Sequence, residues 1–153
     1  MNEPYVETIR KCALFSSLTE YGAQVVLEAG TVKEHAAGEV LFKEGDPSTL
    51  VVVVLSGKLR VFVARDGREL TIAEPGPGTL VGELGVLCGI PRTGTLRVLE
   101  KSSMLHIADA AFRSLLLRDV SLSQRVFSHM AQTLLEKERA LIDAAVRSEG
   151  KPR

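Results

Sequence analysis

Val81-Gly82-Glu83-Leu84-Gly85-Val86-Leu87-Cys88-Gly89-Ile90-Pro91-Arg92-Thr93-Gly94-Thr95 is the stretch that decides how this chain is read. It opens with a glycine at the end of a strand, where the missing Cβ lets a ligand approach the main chain. A short apolar helical turn follows, and the backbone N–H groups at its start suit an anion. Arg92, just before the next strand, offers a planar, permanently charged fork to two phosphate oxygens. Glu83 offers a carboxylate that accepts a hydrogen bond from a hydroxyl. Taken singly, Glu83 reads as an acid at a helix N-terminus and Pro91-Arg92 as a solvated turn. Together, an anion cradle, a guanidinium and a hydroxyl acceptor suit a ribose phosphate.

Around this stretch, from Thr31 to Ile107, the chain consists of short β-branched runs punctuated by glycine. Val40–Phe42, Leu50–Leu55, Leu59–Val63, Leu70–Ile72, Leu96–Leu99 and Met104–Ile107 each read as strands. The breakers are Gly45-Asp46-Pro47, Ser56-Gly57, Asp66-Gly67 and Pro75-Gly76-Pro77-Gly78. Asp66-Gly67 between two alternating strands signals a hairpin. Many short strands at close spacing predict a jelly-roll or barrel rather than βαβ units.

Both flanks are helical. From Pro4 to Ala29, Val6, Ile9, Leu14, Val25, Val26 and Leu27 recur at helical spacing, interrupted at Ser16-Ser17, with Ser17 or Thr19 placed to cap the second helix. Beyond Asp109, the residues Ala111, Phe112, Leu115 and Leu116 predict a short helix. Ser121 then opens a long one whose apolar stripe runs from Leu122 to Ala145, with Gly150 and Pro152 ending it. At 1.5 Å per residue it spans roughly 35 Å, more than a small barrel can cover.

Composition narrows the function. Lys+Arg and Asp+Glu are each 19, so the formal charge is zero and there is no general attraction to nucleic acid or anionic membranes. The longest apolar run, Leu50–Leu55, is too short to cross a bilayer, and no signal-peptide pattern follows Met1. Cys12 and Cys88 form no CxxC or Cys/His cluster, which predicts reduced, structural thiols in a cytoplasmic protein. His35, His106 and His129 fall on a strand, a strand and a helix with no metal-binding spacing, so they read as solvent-facing or satisfied. Two cysteines are too few for an iron–sulfur cluster. No GxSxG and no Gly-Lys-Ser/Thr loop is present. No enzyme and no metal are expected. The run Glu136-Lys137-Glu138-Arg139 reads first as a solvated helix face.

Gly82, Glu83, Leu84, Gly85, Pro91, Arg92 and Thr95 make residues 81–95 similar to the phosphate-binding cassette of cyclic-nucleotide-binding domains, the family of the catabolite activator protein, kinase regulatory subunits and cyclic-nucleotide-gated channels. Ala37–Pro47 and Leu55–Val61 resemble the same family's early strands. The departures are Ala36 in place of proline, Ser48-Thr49 where a Gly-Asp pair is usual, Val81 and Gly94. Ser48-Thr49 predicts altered loop packing. The last two remove bulk beside the ligand and predict a looser pocket.

The resemblance implies a mainly β fold with flanking helices: a double-stranded β-helix, or jelly-roll, over 30–108, N-terminal helices over 1–29 and C-terminal helices over 109–149, in a single domain of 1–153. It implies a sensor of a cyclic mononucleotide, cAMP or cGMP, with no further cofactor. Glu83 would accept the ribose 2′-hydroxyl and Arg92 would pair with the cyclic phosphate. Amides around Gly82, Leu84 and Thr93 would complete the phosphate cage, and the Thr93 hydroxyl would meet a syn guanine. Leu134, Lys137 and Glu138 are the base-contact candidates. The long helix would then pair with its twin in a homodimer, engage a protein partner, or close over the nucleotide. A helix-turn-helix domain after that helix needs roughly 60 further residues, so no direct DNA binding is expected of this chain. The alternatives are a ligand-free partner-binding domain of the same fold and a truncated regulator of the catabolite activator type.

Overall fold

The computed structural model describes residues 3–150. Its N-terminal helices are α1 (Glu3–Lys11) and α2 (Glu20–Glu28), joined through a 3-10 turn at Ala13–Phe15. Of the two capping candidates, Thr19 is the N-cap: its Oγ1 accepts a hydrogen bond from the Gly22 N–H at 3.1 Å, pairing an amide that the helix leaves free. Ile9, Phe15, Val26 and Leu27 from these helices are buried against the sheet.

The strands are β1 (Thr31–His35), β2 (Val40–Phe42), β3 (Leu50–Arg65), β4 (Arg68–Ala73), β5 (Leu80–Val81) and β6 (Thr95–Ala108). They form one antiparallel sheet in the order β1-β6-β3-β4, with β2 on β6 and β5 on β3. Two expected pairs of short strands are each one long strand. Leu50–Leu55 and Leu59–Val63 merge into β3, and Leu96–Leu99 and Met104–Ile107 merge into β6. Ser56-Gly57 is a bulge in a continuous strand and not a turn, because the register against β6 shifts there and then resumes. Polar side chains replace the interrupted ladder: Lys58 N–H donates to Ser102 Oγ and Ser103 N–H to Ser56 Oγ, both at 3.2 Å. Asp66-Gly67 does make the expected hairpin, with Arg65 paired to Arg68 and positive φ at both loop residues, 53° and 75°.

The apolar run at the start of β3 is buried on both faces, and alternate residues serve different cores. Val51, Val53 and Leu55 pack with the helices; Val52 and Val54 pack inside the roll with Leu59, Leu96, Val98 and Met104. A strand sandwiched in this way reads as a continuous apolar run and not as an alternation.

α3 (Glu83–Cys88) interrupts the sheet, and α4 (Asp109–Arg118) and α5 (Val120–Glu149) follow it. α5 starts one residue before Ser121, because the Asp119 side chain caps it, accepting the Leu122 N–H at 3.0 Å. Leu122, Val126 and Met130 anchor its first half in the core. Further on, Leu134, Leu135, Leu141, Ile142 and Val146 are exposed. Among the described residues no helix is long and apolar enough to cross a membrane. The cysteines depart from the expectation of two structural thiols. Cys12 is buried, whereas Cys88 is exposed at the end of α3.

Candidate functional site

A cavity of about 470 Å³ opens where β2, β3, β4, α3 and α5 meet. Its floor is the Val81–Gly85 and Arg92–Gly94 segments, and α5 lies along its rim with His129, Thr133, Glu136, Lys137 and Ala140.

Gly82 follows β5 and caps α3 at φ 91°, a backbone that L side chains rarely adopt. A Cβ there would also come within 2.5 Å of Arg92 Nη1. Only a glycine lets the chain turn here against the guanidinium.

Arg92 is 5% exposed. Its Nη1 donates to the Gly82 carbonyl at 3.1 Å and its Nη2 to the Leu50 carbonyl at 2.6 Å. The guanidinium lies 4.0 Å over the Phe42 ring, a cation–π contact, and its Nε is buried without a hydrogen-bond partner. Its backbone is held as firmly: Arg92 N–H donates to the Asp46 carbonyl at 2.8 Å and Gly45 N–H to the Arg92 carbonyl at 2.9 Å. Burial lowers its pKa, opposed by Asp46 and Glu83 nearby. The result is a positive charge fixed in the cavity wall with little rotational freedom left to lose.

The Glu83 side chain is 13% exposed. Burial pushes its carboxyl pKa up, while its own backbone N–H and the charges of His129, Lys137 and Arg92 pull it down. His129 Nε2 lies 3.7 Å from Glu83 Oε1. Thr93 lines the same cavity, and so does Leu84.

The expected loop change and the looser pocket come out differently. Ser48 Oγ donates to the Ile90 carbonyl at 2.8 Å, which ties the β2–β3 loop to the cassette. At Gly94 a Cβ would lie 2.9 Å from Val61 Cγ1 and 3.2 Å from the Phe62 carbonyl. The missing methyl is therefore filled by a close approach of β3, not left as slack beside the ligand.

Gly82, Glu83, Leu84, Arg92 and Thr93 converge on this one cavity. Of the helix candidates Lys137 lines it, whereas Leu134 and Glu138 do not. Residues 129, 133, 136, 137 and 140 share one helical face, whereas 134 lies to its side and 138 on the opposite face. The sequence reading missed His129 and Phe42. His129 lies two turns before Lys137 on the same stripe, so placing Lys137 over the cavity places His129 there too. The other two histidines are also not independent, since His35 and His106 meet across β1 and β6.

The sequence profile of the cyclic nucleotide-binding domain matches residues 32–119, and the chain belongs to this family. Lysophospholipase NTE1 of Chaetomium globosum is 34% identical over 108 residues, which is 70% of this chain and 7% of that protein. The chain thus spans a small fraction of these relatives' length. Among solved structures, the Thermus thermophilus catabolite activator protein superposes with a TM-score of 0.81 at 26% identity, covering 86% of this chain and 62% of that one. The regulatory domain of Toxoplasma gondii PKA, crystallised with cAMP, gives 0.68 at 29% identity, covering 74% of this chain and 44% of its own.

Proposed function

We propose that this chain binds a cyclic mononucleotide, cAMP or cGMP, in the 470 Å³ cavity and acts as a sensor without turning the ligand over. The observation that carries this reading is the convergence of Glu83 and Arg92, from different ends of the cassette, on one cavity wall under α5. Arg92 is the charge partner of the cyclic phosphate and Glu83 the acceptor of the 2′-hydroxyl. Amides around Gly82, Leu84 and Thr93 complete the phosphate contacts, and Lys137 is the base-side contact from α5. The relative crystallised with cAMP supports the ligand class. Among the described residues no group of three or more His, Cys, Asp or Glu is placed to hold a metal, so the reading uses none.

Output runs through α5. Its rim residues sit over the ligand, and its exposed apolar residues (Leu134, Leu135, Leu141, Ile142) form a surface for a second copy or another protein. Its free cysteines suit a reducing, cytoplasmic setting. Equilibrium dialysis against labelled cAMP, with chromatography of the recovered ligand, tests the reading. Saturable uptake of unchanged nucleotide supports it. Product that disappears in Glu83 or Arg92 variants refutes it.

A further inference from the structure

The cavity has a titratable group that this reading leaves unused, and the inference below rests on that reading. We infer that His129 is a further binding determinant: its imidazolium, set against the Glu83 carboxylate, makes cyclic-nucleotide affinity depend on pH.

His129 projects from α5 and Glu83 from α3, and both line the cavity with Nε2 and Oε1 3.7 Å apart. The His129 side chain is 41% exposed and faces a carboxylate that is nearly buried.

The ionisable groups lining the cavity are Glu83 on α3, Arg92 in the cassette, and Glu136, Lys137 and His129 on α5. Asp46, from the β2–β3 turn, acts on Arg92 from behind, and on the other side of His129 the adjoining cleft holds Arg125, four residues earlier on α5, which donates to Ser16 Oγ. Two carboxylates balance two permanent cations, so the lining is neutral when His129 is neutral. With His129 protonated it is singly positive. A cyclic phosphate is a monoanion and gains from that extra charge in a partly desolvated cavity.

The sign of the effect is fixed by linkage. An anion that favours the imidazolium takes up a proton when it binds, so affinity rises as pH falls through the histidine range, about pH 8 to 5. One proton limits the slope to tenfold per pH unit. Glu83 acts in the opposite sense. Burial raises its pKa, and once protonated it no longer offers a carboxylate to the 2′-hydroxyl. Protonation of Glu83 therefore opposes the gain from His129 at the acid end.

Titrations of the full chain with cAMP between pH 5.5 and 8.5 test this, since the nucleotide itself changes no charge in that range. Wild-type affinity should fall several-fold from pH 6 to 8. His129→Gln should be flat across that interval at the wild-type alkaline affinity, and His129→Lys flat at the wild-type acidic affinity. Wild type and His129→Gln sharing one pH profile overturns the inference alone. A protein that binds no cAMP at any pH overturns the reading of the cavity and this inference with it.

Discussion

The Nε2 atoms of His35 and His106 face each other at 2.9 Å across β1 and β6. The ring centroids are 5.1 Å apart, farther than the nitrogens, so the rings meet edge to edge through one N–H···N bond. His35 Nδ1 lies 2.7 Å from Glu39 Oε2, and Glu39 Oε1 accepts the Ala36 N–H at 3.0 Å. Burial, then the neighbouring His35 and Lys33, lower the His106 pKa from 6.5 to about 4. His106 thus stays neutral in the fold where the unfolded chain would protonate it. Its contribution to stability is complete above about pH 6.5 and is lost as pH falls from there to about 4. Allowing for solvent screening at a half-buried ring, that loss is about 1–2 kcal/mol. Urea denaturation at pH 7 and pH 4.5 should show a larger acid loss in wild type than in His106→Gln. Parallel losses would mean that the pair does not govern acid stability.

Two glycines predict opposite tolerance. Gly57 has φ 95°, and a Cβ there would press on Ser102 Oγ and lie 2.6 Å from the Lys101 carbonyl. Gly57→Ala should cost about 2–4 kcal/mol by strain and overpacking. Gly67, at φ 75° in the β3–β4 hairpin, has open space around it, so Gly67→Ala should cost only about 1 kcal/mol. Thermal denaturation of the two variants separates bulge from hairpin. Equal losses would contradict the bulge.

Arg92→Ala removes the proposed phosphate partner and also the guanidinium donors to the Gly82 and Leu50 carbonyls. Affinity should fall about 10- to 150-fold, roughly 1.5–3 kcal/mol, and stability should fall as well. Arg92→Lys keeps the charge but lacks the fork that spans both carbonyls, so it should recover only part of each loss. Full affinity in either variant would remove Arg92 from the site.

What the sequence disclosed and what it hid follows from distance along the chain. Glu83 and Arg92 sit in one short stretch whose glycines and arginine make sense only together, so their meeting was legible. Ser56-Gly57 reads locally as a turn, and only the partner residues Lys101, Ser102 and Ser103 on β6 make it a bulge. His35 and His106 are distant in sequence, and no local pattern brings them together. A single histidine in a helix carries no mark of its own, and His129 gains one only from the α5 face it shares with Lys137 over the cavity.

The second half of α5 should matter for binding but not for folding. Its buried anchors Leu122, Val126 and Met130 precede Thr133, whereas Glu136, Lys137 and Ala140 complete the cavity rim. Truncation after Thr133 should leave a folded protein that binds cyclic nucleotide at least several-fold more weakly. Ligand can bias α5 only through contacts it makes in one position and lacks in another. Amide exchange from Gln132 to Ile142 should therefore slow when cAMP is added to the intact chain. Full affinity after truncation together with unchanged exchange would make α5 a packing element only.

The central claim is that Glu83 and Arg92 hold a cyclic nucleotide in the cavity beneath α5. Calorimetric titration of the chain with cAMP and cGMP, set beside Glu83→Gln and Arg92→Ala, tests it most directly. The account predicts one saturable site per chain, micromolar or tighter for at least one of the two nucleotides. It predicts at least tenfold weaker binding in each variant, with reduced discrimination against the 2′-deoxy nucleotide in Glu83→Gln. No heat of binding with either nucleotide, or binding that both variants retain in full, would contradict it.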